Sequence, residues 1–171
     1  MKQLILAKPH LLILTGISGS GKTYFADHFA KMYNLPLISN DNTAKILFEK
    51  PSQSDDEQTI VRRINQSELH QIIKTGSHIV YDGYTETRVS RRELVKIAEQ
   101  SGYEPLIIWV QTDMMSAKKR ALTSLSLDEK QFKKSISKFT QPNDREKHMV
   151  ISGKHLASNQ IRSVINKLRS V

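Results

Sequence analysis

Hydrophobic positions along the chain fall into short apolar runs that alternate with longer stretches of helical period. The run from Leu11 to Thr15 leads directly into a glycine-rich segment. An uninterrupted apolar run of this length is typical of a parallel strand that is buried on both faces. After the glycines, Phe25, Phe29 and Tyr33 recur every four residues, which predicts a helix with one aromatic stripe directed at a sheet.

Later segments repeat this alternation of strand and helix. Two helix starts have capping-box spacing, Ser54 with Glu57 and Ser90 with Glu93, and the second helix is expected to run to Gly102. Shorter helices are expected at 41–48 and 158–168. The further strands are expected at Pro36 to Ser39, His78 to Asp82, Leu106 to Val110 and His148 to Ser152. The pattern predicts a single α/β domain over residues 1–171, a three-layer α/β/α fold around a central, mainly parallel five-stranded sheet.

One long segment fits neither pattern well. From Asp113 to Arg145 the chain is polar and rich in lysine, with weak amphipathic periodicity. Because it follows a predicted strand, where open α/β sheets place their ligands, we interpret residues 113–147 as a candidate helical lid.

Size and composition narrow the class of protein. The 171 residues suffice for one domain with its own core, and the chain contains no cysteine. Disulfides, thiolate metal sites and a cysteine nucleophile are therefore excluded, which suits a reducing cytoplasm. The sequence has neither a signal-peptide core nor the roughly 18 consecutive apolar residues of a membrane helix, so we expect a cytoplasmic protein without a membrane partner.

The charge balance favours anionic partners. Lysine and arginine exceed aspartate and glutamate by 26 to 17, a formal net charge of +9. Nucleotides, phosphorylated metabolites and nucleic acid all satisfy such an excess. Nucleic acid is possible but not favoured, because no aromatic-rich RNA-binding motif accompanies the charge.

The glycine-rich segment has the spacing of a phosphate-binding loop. Its sequence, GISGSGKT, lies between a predicted strand and a predicted helix, which is the context that the motif requires. Glycines let successive amides converge on phosphate oxygens, Lys22 supplies a cation for the β- and γ-phosphates, and Thr23 offers a hydroxyl to magnesium. The alternative is a glycine-rich turn that binds nothing. The motif predicts that ATP and Mg²⁺ bind at Gly16, Ser18, Gly19, Ser20, Gly21, Lys22 and Thr23.

Two acidic residues follow predicted strands on the same edge of the sheet. Asp41 is a candidate general base that would deprotonate an acceptor hydroxyl, although Ser39-Asn40-Asp41 is also a good capping sequence. Asp82 ends a hydrophobic strand and is a candidate magnesium-supporting residue or substrate contact. As an alternative, Asp82-Gly83 is an ordinary turn dipeptide.

Positive charge is also needed near a transferring phosphoryl group. Arg120, within Lys118-Lys119-Arg120 after the fourth strand, is the candidate for that catalytic role. Three arginines after Asp82 are candidate ligands of an anionic substrate: Arg88, Arg91 and Arg92. A solvated basic helix face is the alternative for both groups.

These segments together resemble the small P-loop kinases of the polynucleotide-kinase and zeta-toxin type, small AAA-type ATP-binding proteins that phosphorylate hydroxyls. The resemblance covers most of the chain and implies a P-loop NTPase fold, with Asp41 as general base. In the polynucleotide-kinase branch an arginine that helps hold the acceptor lies three residues after that base, where this chain has Ala44. Two lid arginines one helical turn apart are also usual, whereas Arg120 is followed by Ala121 and Leu122.

The resemblance therefore implies a phosphotransferase more directly than any one acceptor. The leading hypothesis is a magnesium-dependent kinase that transfers the γ-phosphate of ATP to a small-molecule or nucleotide hydroxyl. A nucleotide-dependent regulatory ATPase and a polynucleotide 5′-hydroxyl kinase remain as alternatives. ATP is the default nucleotide because the sequence lacks an Asn-Lys-x-Asp segment of the kind that reads guanine.

Overall fold

The computed structural model describes residues 3–52, 54–125 and 127–170. Within them the chain forms five strands and seven helices. The strands are β1 (His10–Thr15), β2 (Leu37–Ser39), β3 (Ile79–Asp82), β4 (Glu104–Gln111) and β5 (His148–Ser152). The helices are α1 (Lys22–Tyr33), α2 (Asn40–Leu47), α3 (Asp55–Ile73), α4 (Arg88–Gln100), α5 (Met114–Ser124), α6 (Glu129–Lys138) and α7 (Ala157–Arg169).

All five strands are parallel, in the spatial order β2-β3-β1-β4-β5. The central strand β1 pairs with β3 on one side and with β4 on the other. Because every strand runs in the same direction, the loops that follow them meet at one edge of the sheet. The predicted parallel five-stranded sheet is confirmed.

Two apolar clusters cover the two faces of this sheet. Leu12 and Leu14 of β1 lie in the cluster that also contains residues of α1 and α7. Leu11 and Ile13, which point the other way along the strand, lie in the cluster with residues of α3 and α4. Helices therefore pack on both faces, and the predicted three-layer α/β/α arrangement is confirmed.

Local sequence patterns predicted α1 and α3 correctly, but they misplaced the start of α4. The aromatic stripe of α1 forms as predicted, with ring centroids of Phe25 and Phe29 separated by 5.4 Å, and Ser54 caps α3 by accepting a hydrogen bond from the amide of Glu57. The expected start of α4 at Ser90 is wrong. Its cap is Thr87, whose hydroxyl accepts a hydrogen bond from the amide of Ser90. Threonine and serine are both good caps, and the earlier one begins the helix.

The candidate lid segment contains α5 and α6. The two helices pack through a small apolar cluster in which Ala117, Ala121 and Phe132 are buried. A reciprocal capping box of Asp128 and Gln131 starts α6. The movement of this segment as a lid stays a prediction. Among the described helices, none has both the length and the apolarity needed to cross a membrane.

Candidate nucleotide-binding site

The glycine-rich loop connects the end of β1 to the start of α1. Gly16, Gly19 and Gly21 have φ angles of 147°, 78° and 103°, in the region that favours glycine. Gly21 is the N-cap of α1, and among the described residues no side chain caps this helix and no acidic residue occupies its first turn. The first amides of α1 have no partner within the helix, so the positive end of the helix dipole is available to an anion.

Neighbouring backbone packs closely against this loop. A Cβ atom on Gly19 would overlap the carbonyl oxygen of Ala117 in α5. A Cβ atom on Gly153, which follows β5, would overlap the carbonyl oxygen of Ser20. Both positions therefore require glycine for the approach of two chain segments, and together they fix the loop against α5 and the end of β5.

The two serines of the glycine-rich loop differ in solvent exposure. Ser18 is partly exposed, whereas Ser20 is fully buried. The amide of Ser20 donates a hydrogen bond to the carbonyl oxygen of Ile17 over 3.1 Å, and its hydroxyl is buried without a hydrogen-bond partner in the described chain. Ser20 therefore contributes to the shape of the loop.

The Lys22 side chain lies along the loop that precedes it. Its ammonium group donates hydrogen bonds to the carbonyl oxygens of Gly16 at 2.8 Å and Ile17 at 3.1 Å. The cation is therefore held at the loop by two neutral acceptors. A phosphate oxygen is a stronger acceptor for an ammonium group than a carbonyl oxygen, because the bond is charge-assisted on both sides.

Thr23 and Asp82 meet at the junction of β1, α1 and β3. The Thr23 hydroxyl donates a hydrogen bond of 2.6 Å to the Asp82 carboxylate. Burial raises the pKa of Asp82, the Lys22 ammonium and the Thr23 hydroxyl oppose that rise, and the carboxylates of Asp41 and Asp27 add to it. The site thus contains a buried carboxylate whose charge is incompletely compensated by the protein.

These groups fit a magnesium ion. A hydroxyl and a carboxylate in contact are hard oxygen donors of the type that Mg²⁺ prefers. The described residues contain no cluster of three or more His, Cys, Asp or Glu side chains that could hold a metal by themselves. A cation bound by Thr23 and Asp82 would therefore complete its shell with phosphate oxygens and water, as Mg²⁺ does in nucleotide sites.

Asp41 lies in the first turn of α2, at the carboxyl end of β2, and is exposed. The cap of this helix is Ser39, whose hydroxyl accepts from the amide of Asn42, so Asp41 is not the N-cap. Burial raises the pKa of Tyr84 to about 12, and the charges of Glu86 and Asp41 add to the rise. The charge of Asp41 therefore contributes to the raised pKa of both Asp82 and Tyr84.

A buried amide network fixes α2 against α3. Asn65 of α3 is fully buried and donates a hydrogen bond of 2.8 Å to Asn40. Its oxygen accepts a bond of 2.6 Å from the Thr43 hydroxyl. Asn40 and Thr43 lie on either side of Asp41 in sequence, so the two bonds hold the helical turn that contains Asp41.

Arg120 lies at the rim of the glycine-rich loop. Its Nη1 donates a hydrogen bond of 2.9 Å to the carbonyl oxygen of Gly153 and lies 3.8 Å from the position of a Cβ atom on Gly21. The guanidinium group is thus beside the start of α1, where a triphosphate is expected. Its catalytic role stays a prediction.

The three candidate substrate arginines have three different environments. Arg92 is exposed, and Arg88, the first residue of α4, is partly buried, with its Nε lacking a hydrogen-bond partner among the described residues. Arg91 is fully buried and forms a two-point ion pair with Glu146, Nε to Oε1 at 2.7 Å and Nη2 to Oε2 at 3.0 Å. Burial alone would raise the pKa of Glu146, but the bonds and charge of Arg91 lower it overall.

Arg91 also binds backbone oxygens of two segments that are far apart in sequence. Its Nη1 donates to the carbonyl oxygens of Thr85, at 3.1 Å, and Thr140, at 2.8 Å. The carbonyl oxygen of Thr85 also accepts a bond of 2.9 Å from the Thr15 hydroxyl. The expectation that Arg91 contacts a substrate is therefore corrected: its guanidinium faces protein groups and joins the end of β1 to the segment after α6.

The sequence comparison agrees with this loop geometry. A family model described as AAA domain matches residues 11–142, which include most of β1, the glycine-rich loop, α5 and α6. The chain belongs to the AAA domain family. The matched residues include the glycine-rich loop at the strand-to-helix junction before α1.

Solved structures share the fold of this AAA domain. The APS kinase of Mycobacterium tuberculosis, in complex with AMPPNP and APS, is 15% identical with a TM-score of 0.70, over 96% of this chain and 99% of that one. A gluconokinase from Sinorhizobium meliloti 1021 is 15% identical with a TM-score of 0.64, over 95% and 93%. A deoxyadenosine kinase from M. mycoides is 13% identical with a TM-score of 0.62, over 94% and 100%. All three of these similar structures are named as kinases, and at such identities they establish the fold alone.

Several residues of this site in the AAA domain were not predicted from the sequence. Gly153 carried a visible signal, a glycine directly after a strand at the ligand edge of the sheet. Asn65, Thr85 and Glu146 carried none, because each is a polar residue within a polar stretch and acts through a partner more than 20 positions away.

Proposed function

We propose that this protein is a magnesium-dependent kinase that transfers the γ-phosphate of ATP to a hydroxyl of a small-molecule or nucleotide acceptor. The observation that supports it most is the 2.6 Å bond between Thr23 and Asp82 beside Lys22. Together with the exposed carboxylate of Asp41 at the carboxyl end of the neighbouring strand β2, it offers a cation site and a candidate base at one edge of the sheet, beside the glycine-rich loop. The kinase folds of the similar structures are consistent with this reaction.

Each group has a distinct part in binding. The amides at the start of α1 and the ammonium of Lys22 hold the β- and γ-phosphates. Magnesium bound by Thr23 and Asp82 would neutralise charge on those phosphates. Arg120, at the rim of the loop beside Gly21, is positioned to stabilise charge on the transferred group.

In the transfer step, the acceptor oxygen forms a bond to the γ-phosphorus while the bond from that phosphorus to its bridging oxygen breaks. ADP leaves with the electron pair, and Asp41 takes the proton of the acceptor hydroxyl. The support for Asp41 in this part is its exposure, its position at the end of β2 and its electrostatic interaction with Asp82.

The direct test is phosphate transfer from labelled ATP to a panel of alcohols, sugars, nucleosides and 5′-hydroxyl oligonucleotides. Asp41→Asn should lower the turnover number by about 10²–10⁴-fold, the usual contribution of a general base, with little change in ATP affinity. Asp27→Asn is the matched control, because both carboxylates are exposed and act on Asp82. An equal loss of turnover number in the two variants would mean that Asp41 acts only through its electrostatic effect on Asp82. If the native protein transfers phosphate to none of the acceptors, the kinase proposal is rejected.

A nucleic-acid acceptor is a second candidate, and the surface of the lid helix α6 favours it. Lys130, Lys133 and Lys138 are exposed there. Lys134 pairs with Asp55 of α3 at 3.6 Å, so this basic surface begins close to the start of another helix. A polynucleotide bound by several lysines would lose affinity steeply as salt rises, whereas a small acceptor held by one charge would not.

A further inference from the structure

A cavity of about 630 Å³ lies at the carboxyl ends of β4 and β5, beside the glycine-rich loop. Its volume is in the range that holds small organic ligands. Seven apolar or aromatic residues line it: Ile17, Trp109, Val110, Met114, Ile136, Phe139 and Val150. Gln111, Thr112, Asp113, Gln141, Ser152 and Lys154 supply its polar groups.

The cavity opens on the sheet face opposite α1. Ile108 and Ile151 lie in the apolar cluster with α1 and α7, and their strand neighbours Trp109 and Val150 point the other way. The phosphate loop leads into α1, and of that loop only Ile17 lines the cavity. A ligand here would therefore lie beside the loop but on the other side of the sheet from α1.

The apolar walls suit a flat ring. The rings of Trp109 and Phe139, both of which line the cavity, are 6.2 Å apart between centroids and tilted by 46°. Val150 is 46% exposed and Met114 is 50% exposed. Large apolar side chains beside two aromatic rings leave a surface that a planar ligand would cover.

The polar groups suit a ring with hydrogen-bonding edges. The Thr112 hydroxyl is buried without a hydrogen-bond partner in the described parts of the chain, which is costly unless a ligand or water supplies one. Gln111 and Gln141 offer exposed amide groups that can both donate and accept. Lys154, held by Asp113 at 2.8 Å, adds a charge at the rim.

We propose that this cavity is a second ligand site, separate from the phosphate loop, that binds a nucleoside through its base. The base stacks on Trp109 and Phe139, and its polar edge bonds to the Thr112 hydroxyl and the glutamine amides. Aliphatic ligands would fill the walls but leave Thr112 unpaired. This site exists whether or not the protein transfers phosphate.

Trp109 is the only tryptophan in the sequence, so its fluorescence reports on the cavity directly. The full chain is first saturated with magnesium and AMPPNP and then titrated with adenosine, guanosine, cytidine and uridine. At least one nucleoside should change the emission saturably. Val150→Asp, which puts a charge on the wall, should weaken that affinity by about tenfold or more. Ile46→Asp, at an 84% exposed position on α2, is the matched control and should leave it unchanged.

Phe139→Leu provides a second variant if Val150→Asp does not fold, because it removes the ring and keeps an apolar side chain. This variant should also weaken binding of the nucleoside that the native protein binds. The proposal is overturned if no nucleoside gives a saturable change, if AMPPNP competes with the nucleoside, or if neither variant weakens binding. It is also overturned if sedimentation shows that Val150→Asp turns a dimer into a monomer, because the face would then be a subunit interface.

Discussion

The hydroxyl of Thr23 and the carboxylate of Asp82 are joined by a hydrogen bond although 59 positions separate them in sequence. The bond is possible because β1 and β3 are adjacent parallel strands, so the first turn of α1 and the last residue of β3 meet at the same edge. The two oxygens that would hold a cation therefore lie in contact with each other.

Asp82→Asn tests this pair. The amide keeps an oxygen that can accept from Thr23 but lacks the charge that a cation requires. Affinity for ATP in the presence of magnesium should fall by about 10–100-fold, and affinity in excess EDTA should change little. Calorimetry under the two conditions measures both values, with Asp56→Asn at the exposed start of α3 as the control. An equal loss with and without magnesium would contradict a cation role.

The buried pair of Arg91 and Glu146 predicts a large effect on stability. Arg91→Leu leaves the Glu146 carboxylate buried and uncompensated, so the free energy of unfolding should fall by about 3–5 kcal/mol. The double variant Arg91→Leu with Glu146→Leu should recover part of that loss, because no charge is then stranded. Urea denaturation measures all three proteins. The exposed neighbour Arg92 provides the control: Arg92→Leu should change the free energy of unfolding by no more than about 0.5 kcal/mol. An equally small change in Arg91→Leu would contradict a stabilising pair.

His78 predicts a pH dependence of stability. Burial lowers its pKa from 6.5, and the charge of His10 lowers it further. Its Nδ1 accepts a hydrogen bond of 3.0 Å from the amide of His10, which requires an unprotonated nitrogen. As pH falls below 6.5 the unfolded chain takes up a proton before the folded chain does, so stability declines until pH passes below the folded pKa.

Denaturation from about pH 8 to about pH 5 measures this decline, at no more than about 1.4 kcal/mol per pH unit for one proton. His78→Asn should flatten the curve across that range, since asparagine can accept the same bond without titrating. His28→Asn, on the exposed face of α1, should leave the slope intact. Identical slopes in the native protein and His78→Asn would contradict the assignment.

Gly153 predicts an effect on the phosphate loop from outside the motif. In Gly153→Ala the new methyl group would overlap the carbonyl oxygen of Ser20, so the loop must shift. We expect ATP affinity to fall by about tenfold or more, a loss of about 1.4 kcal/mol. Gly102→Ala is the control for backbone strain alone, because its φ of 76° disfavours alanine, whereas a Cβ atom there meets nothing within 4 Å and the residue follows α4, away from the loop. Unchanged ATP affinity in Gly153→Ala would show that the contact does not hold the loop.

Much of the fold could be predicted because its signals are local. Buried parallel strands read as apolar runs, and β5 was predicted with its observed bounds, His148–Ser152. The start of α4 was misplaced because Thr87 and Ser90 offer the same hydroxyl, and only packing selects between them. The length of β4 was underestimated because Glu104 carries a polar side chain within a paired strand.

The candidate site was predictable where chemistry follows a strand end. Asp82 and Thr23 carried that signal, and the structure brings them together. Arg91 follows a strand end as Arg88 and Arg92 do, but its side chain faces inward and pairs with Glu146. That partner lies 55 positions away, so no local sequence pattern marks the pair. Side-chain direction near a helix start depends on tertiary contacts that sequence spacing alone does not specify.

The measurement that tests the central claim most directly is calorimetry of ATP binding in magnesium with the native protein and Lys22→Ala. We expect saturable ATP binding in the native protein and an affinity lower by about 1.5–3 kcal/mol in the variant, the contribution of a hydrogen bond to a charged group. The absence of any heat of binding at millimolar ATP and magnesium, or equal affinities in the two proteins, would contradict a phosphate site between Gly16 and Thr23.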